Sequence, residues 1–308
     1  MNRPSIAGPG RIHDIDIRLV RIFKAVVESG GFSAAETTLG IGRSAISLAM
    51  SDLEARVGLR LCQRGRAGFS LTEEGEQVYA AANRMLAALE GFRTEVDSLH
   101  ARLRGELRIG ITDNLVTLPH MAVTEALARL KSRGPEVRVN IHMVAPDEVA
   151  ARVVDGRLHV GIVPAVNIPA GIVHHSLYEE RSRLYCAHGH PLFAGAAQAS
   201  DAAIGAADAV APAYALPAEA LEQHGRLACS ASATDREGIA FLVLTQQYIG
   251  FLPEHFAARW VEAGRLRALA PQRYAYTVEY TVITRRDRRP HRVLETFLGE
   301  LPGERAGA

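Results

Sequence analysis

With 308 residues and an apolar share of 48%, the chain is long enough for two domains with real hydrophobic cores. A formal net charge of +1 argues against a protein that packs nucleic acid by bulk positive charge, so any such contact must come from a local arrangement of basic groups. No stretch has the unbroken apolar length that spans a membrane, and the polar, turn-rich opening predicts a flexible tail over residues 1–13, no export signal and a soluble, cytoplasmic protein.

In chain order, Leu19, Ile22, Phe23, Val26 and Val27 fall on one face of a predicted helix over Asp16 to Glu28. The next stretch, GGFSAAETTLGIGRSAISLAMSD from Gly30 to Asp52, reads as two short helices joined by a tight turn. Ser33 with Glu36 three residues on is a capping-box pattern, which starts the first of these helices at Ser33. Gly40 and Gly42 supply the turn, and Gly42 the next N-cap. In the second helix Ile46, Met50, Leu53 and Val57 make a buried stripe, while Arg43, Ser44, Ser47 and Ser51 occupy the other side. Serines can reach phosphates or base edges without steric cost, and arginine can bond guanine with a forked geometry. An ordinary helical hairpin with a solvated face would carry the same pattern. The following RLCQRGRAGFSLT looks like two short strands around a tip bearing Arg64 and Arg66, a wing suited to the phosphate backbone.

At these residues the chain resembles the LysR-type transcriptional regulators. The resemblance is dense over residues 14 to 75, in IDIRLVRIFKAVVESGGFSAAE, SAISLAMSDLEARVGLRL and QRGRAGFSLTEEG, and is one of pattern beyond. The family commonly has Ser, Gln and a small residue where Gly42, Arg43 and Ser44 stand, and often Arg in place of Leu48. Leu48 removes a phosphate contact, although an apolar side chain there could touch a thymine methyl. The resemblance implies a winged helix-turn-helix over 14–72 that reads a double-stranded DNA operator through Ser33, Arg43, Ser44, Ser47, Leu48, Ser51, Arg64 and Arg66. It further implies a contact with RNA polymerase.

From Thr72, a predicted helix cap, Val78, Ala82, Met85, Leu89, Phe92, Val96, Leu99 and Leu103 recur at alternating spacings of four and three. This heptad seam predicts a linker helix over 73–104 that joins a homodimer or homotetramer; packing on its own domain is the alternative. Strands GELRIGI, VRVNIHMV and RLHVGIV then alternate with helices Asn114 to Lys131 and DEVAARVVD, capped by Asp147, which implies a parallel sheet covered by helices. The strand-like VHHSLYEERSRLYCAHGHPLF leads into strand GRLAC, helix Thr234 to Gln247, strand YIGFLP and helix Glu254 to Ala263; TVEYTVIT and the helix Pro290 to Leu298 return to the first lobe.

The fold class is therefore α/β, with a winged helix-turn-helix, a long linker helix and, by resemblance, a two-lobed effector domain like the type 2 periplasmic binding proteins over 105–308. Lobe 1 is expected over about 105–166 and 272–308, and lobe 2 over about 167–271. Such sheets bind ligands beyond the carboxyl ends of their strands. That rule selects Thr112, Asp113, Asn114, Pro146, Asp147, Val163 and Pro164 from lobe 1 and Ser230, Ser232 and Phe251 from lobe 2 for a small-molecule effector, with Thr112 facing Ser230 across the cleft. Each of these residues could instead simply cap or end its element.

Cys62, Cys186 and Cys229 are widely separated and in no metal-ligand spacing, so reduced thiols are expected, with Cys186 and Cys229 buried in strand-like runs; a redox-sensing pair of Cys186 with Cys229, which the family resemblance allows, is the alternative. His159 stands where the family commonly has Asp; a pH-sensitive role and a satisfied structural histidine are both open. His174, His175, His188 and His190 raise a metal reading, against which HPL at His190 suggests a turn. No phosphate-binding glycine motif, zincin motif or nucleophile elbow appears, so no enzyme, cofactor or metal is expected. A solute-capture protein with a helical extension is the competing class, and an architectural DNA protein a third.

Overall fold

The capping signals around residue 72 explain how the first unit is held together. In the computed structural model, which describes residues 14–65, 68–98, 103–112, 115–118, 120–288 and 291–302, the chain forms two compact units divided between Phe92 and Arg93. Helices α1 (Asp14–Glu28), α2 (Phe32–Leu39) and α3 (Arg43–Val57) precede strands β1 (Cys62–Gly65) and β2 (Gly68–Leu71) and helix α4 (Glu73–Ser98). Phe23, Val26, Ala35, Ile46, Met50 and Leu61 are fully buried in one core. Each large apolar side chain removed from water there contributes about 1.5–3 kcal/mol.

Left-handed glycines end two helices, Gly40 at φ 64° after α2 and Gly58 at φ 71° after α3, and Gly42 is the N-cap of α3. Ser33 does not cap α2. Its N-cap is Gly31, at φ 146°, so the helix has already begun at Phe32, whose ring packs edge-on against Phe69. Strands β1 and β2 form an antiparallel hairpin with Cys62 opposite Leu71. Thr72 Oγ1 accepts from Gly75 N at 2.9 Å and donates to Arg60 O at 2.6 Å, fastening the end of the wing to the start of α4. A Cβ at Gly75 would lie 1.9 Å from Leu61 O, so only glycine lets the helix pass the strand there. Along the expected seam Ala82 is buried, Val78, Met85 and Leu89 are half-buried and Phe92 is 59% exposed. The side chain of Val96 and all of Leu99 lie outside the described residues. The described helix ends at Ser98, so Leu103 is not one of its residues and instead packs on the second core.

The second unit contains β3 (Glu106–Ile111), α5 (Ala122–Arg133), β4 (Arg138–Met143), α6 (Pro146–Val154), β5 (Val160–Pro164), β6 (Ile172–Ala187), α7 (Asp201–Gly205), β7 (Asp208–Pro212), α8 (Ala218–His224) and β8 (Ala228–Ala233). It continues with α9 (Arg236–Leu244), β9 (Gly250–Pro253), α10 (Glu254–Glu262), β10 (Leu266–Ala268), β11 (Ala275–Arg285) and α11 (Arg292–Leu298). The main sheet runs β4-β3-β5-β11-β6-β10, with β9 also paired to β6. Strand β3 is parallel to β4 and β5, as βαβ connections require, whereas β11 is antiparallel to β5 and β6. A parallel pair, β7 and β8, joins the second lobe through a bridge from Ala209 to Ile249.

Strands β6 and β11 are long because they serve both lobes. The start of β6 pairs with the part of β11 that also pairs with β5, and its end pairs with β9 and β10. The chain therefore crosses between lobes inside the strands, where their register shifts at Tyr280/Thr281.

Candidate DNA-binding face and effector cleft

On α3 the buried stripe of Ile46, Met50 and Leu53 turns the opposite side to solvent. Arg43 and Ser44 in the first turn are exposed, as are Ser51 and the 73% exposed Leu48, while Ser47 is half-buried. Ser51 Oγ donates back to Ser47 O at 3.0 Å. Ser33 is exposed on α2. Arg64 belongs to β1 but its side chain, like the whole of Arg66, lies outside the described residues. Lys24 is turned to a structural task, with Nζ donating to Glu28 at 2.7 Å and to Asn83 of α4 at 2.9 Å.

Glu54 on α3 orients the wing. Its Oε1 accepts from Leu61 N at 2.8 Å and Cys62 N at 3.3 Å. A helix whose outer face carries Arg43, small serines and the exposed Leu48, with a hairpin fastened at its end, is a shape that can enter a groove and grip the backbone beside it.

In the second unit three adjoining cavities lie between the lobes. One of about 420 Å³ is lined by Pro146, Asp147, Val163 and Pro164 from lobe 1 and by Pro212 and Tyr214 from lobe 2. A second, about 280 Å³, adds Met143, Asp235 and Arg236. A narrow third, about 10 Å³, reaches Glu180, Ser182, Phe251 and Tyr276, and Pro164 and Tyr214 border all three.

The structure thus brings Pro146, Asp147, Val163, Pro164 and Phe251 to the cleft. Asp147 is not the cap of α6; Pro146 takes the first position and Asp147 follows, exposed, in the first turn. Thr112 is 1% exposed, and its hydroxyl sits near that of Tyr280 but outside hydrogen-bond geometry. Asp113 and Asn114 lie outside the described residues. Ser230 and Ser232 are not beyond a strand end. They are inside β8, which starts and ends later than GRLAC suggests, and line none of these cavities. Ser230 falls at a bulge opposite β7 and donates to Asp208 at 2.6 Å, so it does not face Thr112 across the cleft.

A charged cluster that spacing did not reveal forms the floor of the cleft. Arg236 Nη2 donates to Glu180 Oε1 at 3.1 Å and to the Tyr280 hydroxyl. Glu180 Oε2 meets His255 Nε2 at 2.9 Å, and His255 Nδ1 meets Thr117 Oγ1 at 2.7 Å. The guanidinium also lies over the rings of Tyr214 and Tyr280, at 5.8 and 5.7 Å, and Tyr280 stacks on Tyr178 at 4.9 Å. Burial first, and then the neighbouring phenol and carboxylate, push the Tyr178 hydroxyl up; Tyr280 is raised chiefly by burial, which Arg236 opposes. One signal in the sequence was available. Arg236 opens a helix, where the dipole disfavours a cation, so it needs a carboxylate elsewhere.

His159 is a half-buried histidine whose two ring nitrogens both face donors of Arg108, so the neutral ring can accept from only one of them. Its Nδ1 accepts from Arg108 N at 3.2 Å, its Nε2 lies 2.8 Å from Arg108 Nη2, and its ring lies 4.4 Å from that of His291. Burial, with Arg108 and His291 adding to it, pulls its pKa down to about 2, so the ring stays neutral. His190 accepts from Leu192 N at 3.2 Å, a turn role. Cys62 and Cys186 are buried, and burial pushes the Cys186 thiol up to about 11. Cys229, expected inside, is exposed, like Ala228 and Ser230 beside it in β8.

Comparison with known proteins accounts for both units. Residues 17–76 match the bacterial regulatory helix-turn-helix protein, lysR family, and residues 100–305 the LysR substrate binding domain. The HTH-type transcriptional activator BauR of Pseudomonas aeruginosa is 58% identical over 292 residues, covering 94% of this chain and 95% of that protein. The SDS degradation transcriptional activation protein of a Pseudomonas species is 28% identical, covering 94% and 97%. Among solved structures, full-length CbnR complexed with its target DNA aligns with a TM-score of 0.63 at 20% identity, over 92% of this chain and 98% of that one. A full-length OxyR variant from Pseudomonas aeruginosa gives 0.63 at 15% identity, over 94% and 95%; these two likenesses concern the fold. No described helix is long and apolar enough to cross a membrane. The chain belongs to the LysR family of DNA-binding transcriptional regulators, with a helix-turn-helix at its N-terminal side and an effector-binding domain after it.

Proposed function

We propose that this regulator reads a specific operator through the outer face of α3, with Arg43, Ser44, Ser47, Leu48 and Ser51 entering the major groove, Ser33 approaching it from α2, and the wing arginines Arg64 and Arg66 on the backbone. A small-molecule effector binds between the lobes, against Pro146, Asp147, Val163, Pro164 and Phe251, with Tyr214 and Arg236 added to that set and Thr112 to Asn114 at its edge. The protein works by binding alone, in the cytoplasm, without catalysis, metal or resident cofactor. It acts as a homodimer or homotetramer joined along α4, because one reading head gathers too few base contacts for operator-level specificity. By likeness to BauR, named as a transcriptional activator, it raises transcription by contact with RNA polymerase.

The observation that carries this reading is the cleft. Three cavities share Pro164 from one lobe and Tyr214 from the other, so a ligand there touches both and can favour one arrangement of the lobes. Footprinting the DNA beside the protein's own coding sequence, with and without metabolite mixtures, tests it. Half-sites separated by whole helical turns, with an extent that changes with one mixture, are expected. Uniform salt-sensitive protection would indicate an architectural protein, and no protection a solute-capture protein.

A further inference from the structure

The cluster on the cleft floor also links the lobes. Thr117 belongs to the segment that follows β3 in lobe 1, whereas His255 lies in the first turn of α10 in lobe 2, and their side chains meet at 2.7 Å. Glu180 sets the chemistry of that contact. A carboxylate only accepts, so His255 presents Nε2–H to Glu180 at 2.9 Å, while its Nδ1 shares a hydrogen bond with the Thr117 hydroxyl. The other oxygen of Glu180 holds Arg236 at 3.1 Å, and Arg236 donates onward to Tyr280, where the register of the crossing strands shifts.

We infer that Thr117, His255, Glu180, Arg236 and Tyr280 form one latch between the lobes, routed through the cation that faces the effector cleft. Glu180 is completely buried and Arg236 nearly so, so neither can exchange its partner for bulk water. A ligand that draws Arg236 away from Glu180 changes how that carboxylate holds His255, and through His255 the contact with Thr117. His255 and Glu180 are thus positioning residues, and the latch gives the effector a lever on the lobes. That last step rests on the cleft being the effector site; the coupling within the latch does not.

The two ends of the latch can be cut conservatively. Thr117→Val and Tyr280→Phe each remove one hydroxyl from the full-length protein, and no hydrogen bond joins the two residues directly. Equilibrium urea unfolding of the wild type, both single variants and the double variant forms a double-mutant cycle. The latch predicts non-additivity of at least about threefold in the unfolding constant, a size that independent distant sites do not reach. Glu180→Gln, made in each background, should remove that coupling, since the amide can no longer accept from both neighbours through two oxygens. Hydrogen exchange gives a second readout: Tyr280→Phe should speed exchange in residues 115–118 as well as around its own strand. Additive effects in the cycle, or faster exchange confined to β11 and its sheet neighbours, would overturn the latch. Neither outcome touches the effector assignment, which a ligand-induced thermal shift of the wild type decides separately.

Discussion

Glu54 and Leu61 are joined by a 2.8 Å bond from the backbone N–H of the strand residue to the carboxylate of the helix residue. The same carboxylate faces Arg60 at 3.6 Å, so the last turn of α3 and the root of the wing move as one piece. Glu54→Ala leaves the Leu61 N–H without this acceptor and should cost about 1–3 kcal/mol in stability. Glu54→Gln, which keeps an accepting oxygen, should lose less. Urea denaturation followed by a probe in the N-terminal domain measures both, and equal losses would dismiss the bond as a fastening.

At Gly75 the constraint is steric. The backbone oxygen of Leu61 occupies the place of a Cβ, and backbone cannot step aside as a side chain can. We expect Gly75→Ala to abolish DNA binding by disordering the junction of the wing and α4. Gly42→Ala, with open space around it, should cost only about 0.5–1 kcal/mol, the difference between glycine and alanine at an N-cap. Circular dichroism melts and gel shifts of the pair separate the two cases.

For the DNA face the prediction concerns salt. Arg43→Ala should weaken operator binding and lower the slope of log affinity against log salt by about one if the side chain neutralises a phosphate; a loss of sequence preference with unchanged slope would instead assign it to a base. Leu48→Arg should act in the opposite direction, raising affinity for all sequences and steepening the slope by about one. Anisotropy titrations at several salt concentrations give both numbers.

The pH dependence follows from His159. Its folded pKa, about 2, lies below the unfolded value of 6.5, so the unfolded chain binds the proton more readily. The stabilisation is complete above pH 6.5 and is lost as pH falls from there towards 2, at up to roughly 1.4 kcal/mol per pH unit. His224, pulled down to about 4 by burial, adds to the loss over the upper part of that range. His159→Gln should therefore be less stable than wild type at pH 7 but should lose less between pH 7 and 5. Parallel slopes for the two proteins in chemical denaturation would refute the linkage.

What could be read in advance was whatever local chemistry decides. Thr72 as a cap, Gly40 at positive φ and the buried stripe of α3 depend on neighbours within one turn, and they stand as expected. Ser33 failed for a related reason: its pattern with Glu36 is a valid local signal, but the chain enters through Gly30 and Gly31 in left-handed geometry and starts the helix earlier. The lining of the cleft between the lobes was legible only near strand ends, as at Pro146 and Pro164. Glu180 lies 56 residues from Arg236 and 75 from His255, and in YEERSR it looks like one more charge on a solvated strand. The bulge that withdraws Ser230 is a property of pairing with β7, a strand that periodicity did not predict.

The placing of β11 has a consequence during synthesis. Lobe 2 has all its strands apart from this one once residue 268 has emerged from the ribosome, but lobe 1 still lacks the strand that lies between β5 and β6. Until Ala275–Arg285 arrives, the short β5 and the long β6 each keep one unpaired edge of the kind that recruits foreign strands. A premature stop ahead of codon 275 would therefore remove the wedge that closes the sheet, and the product would aggregate although its DNA-reading head was finished long before.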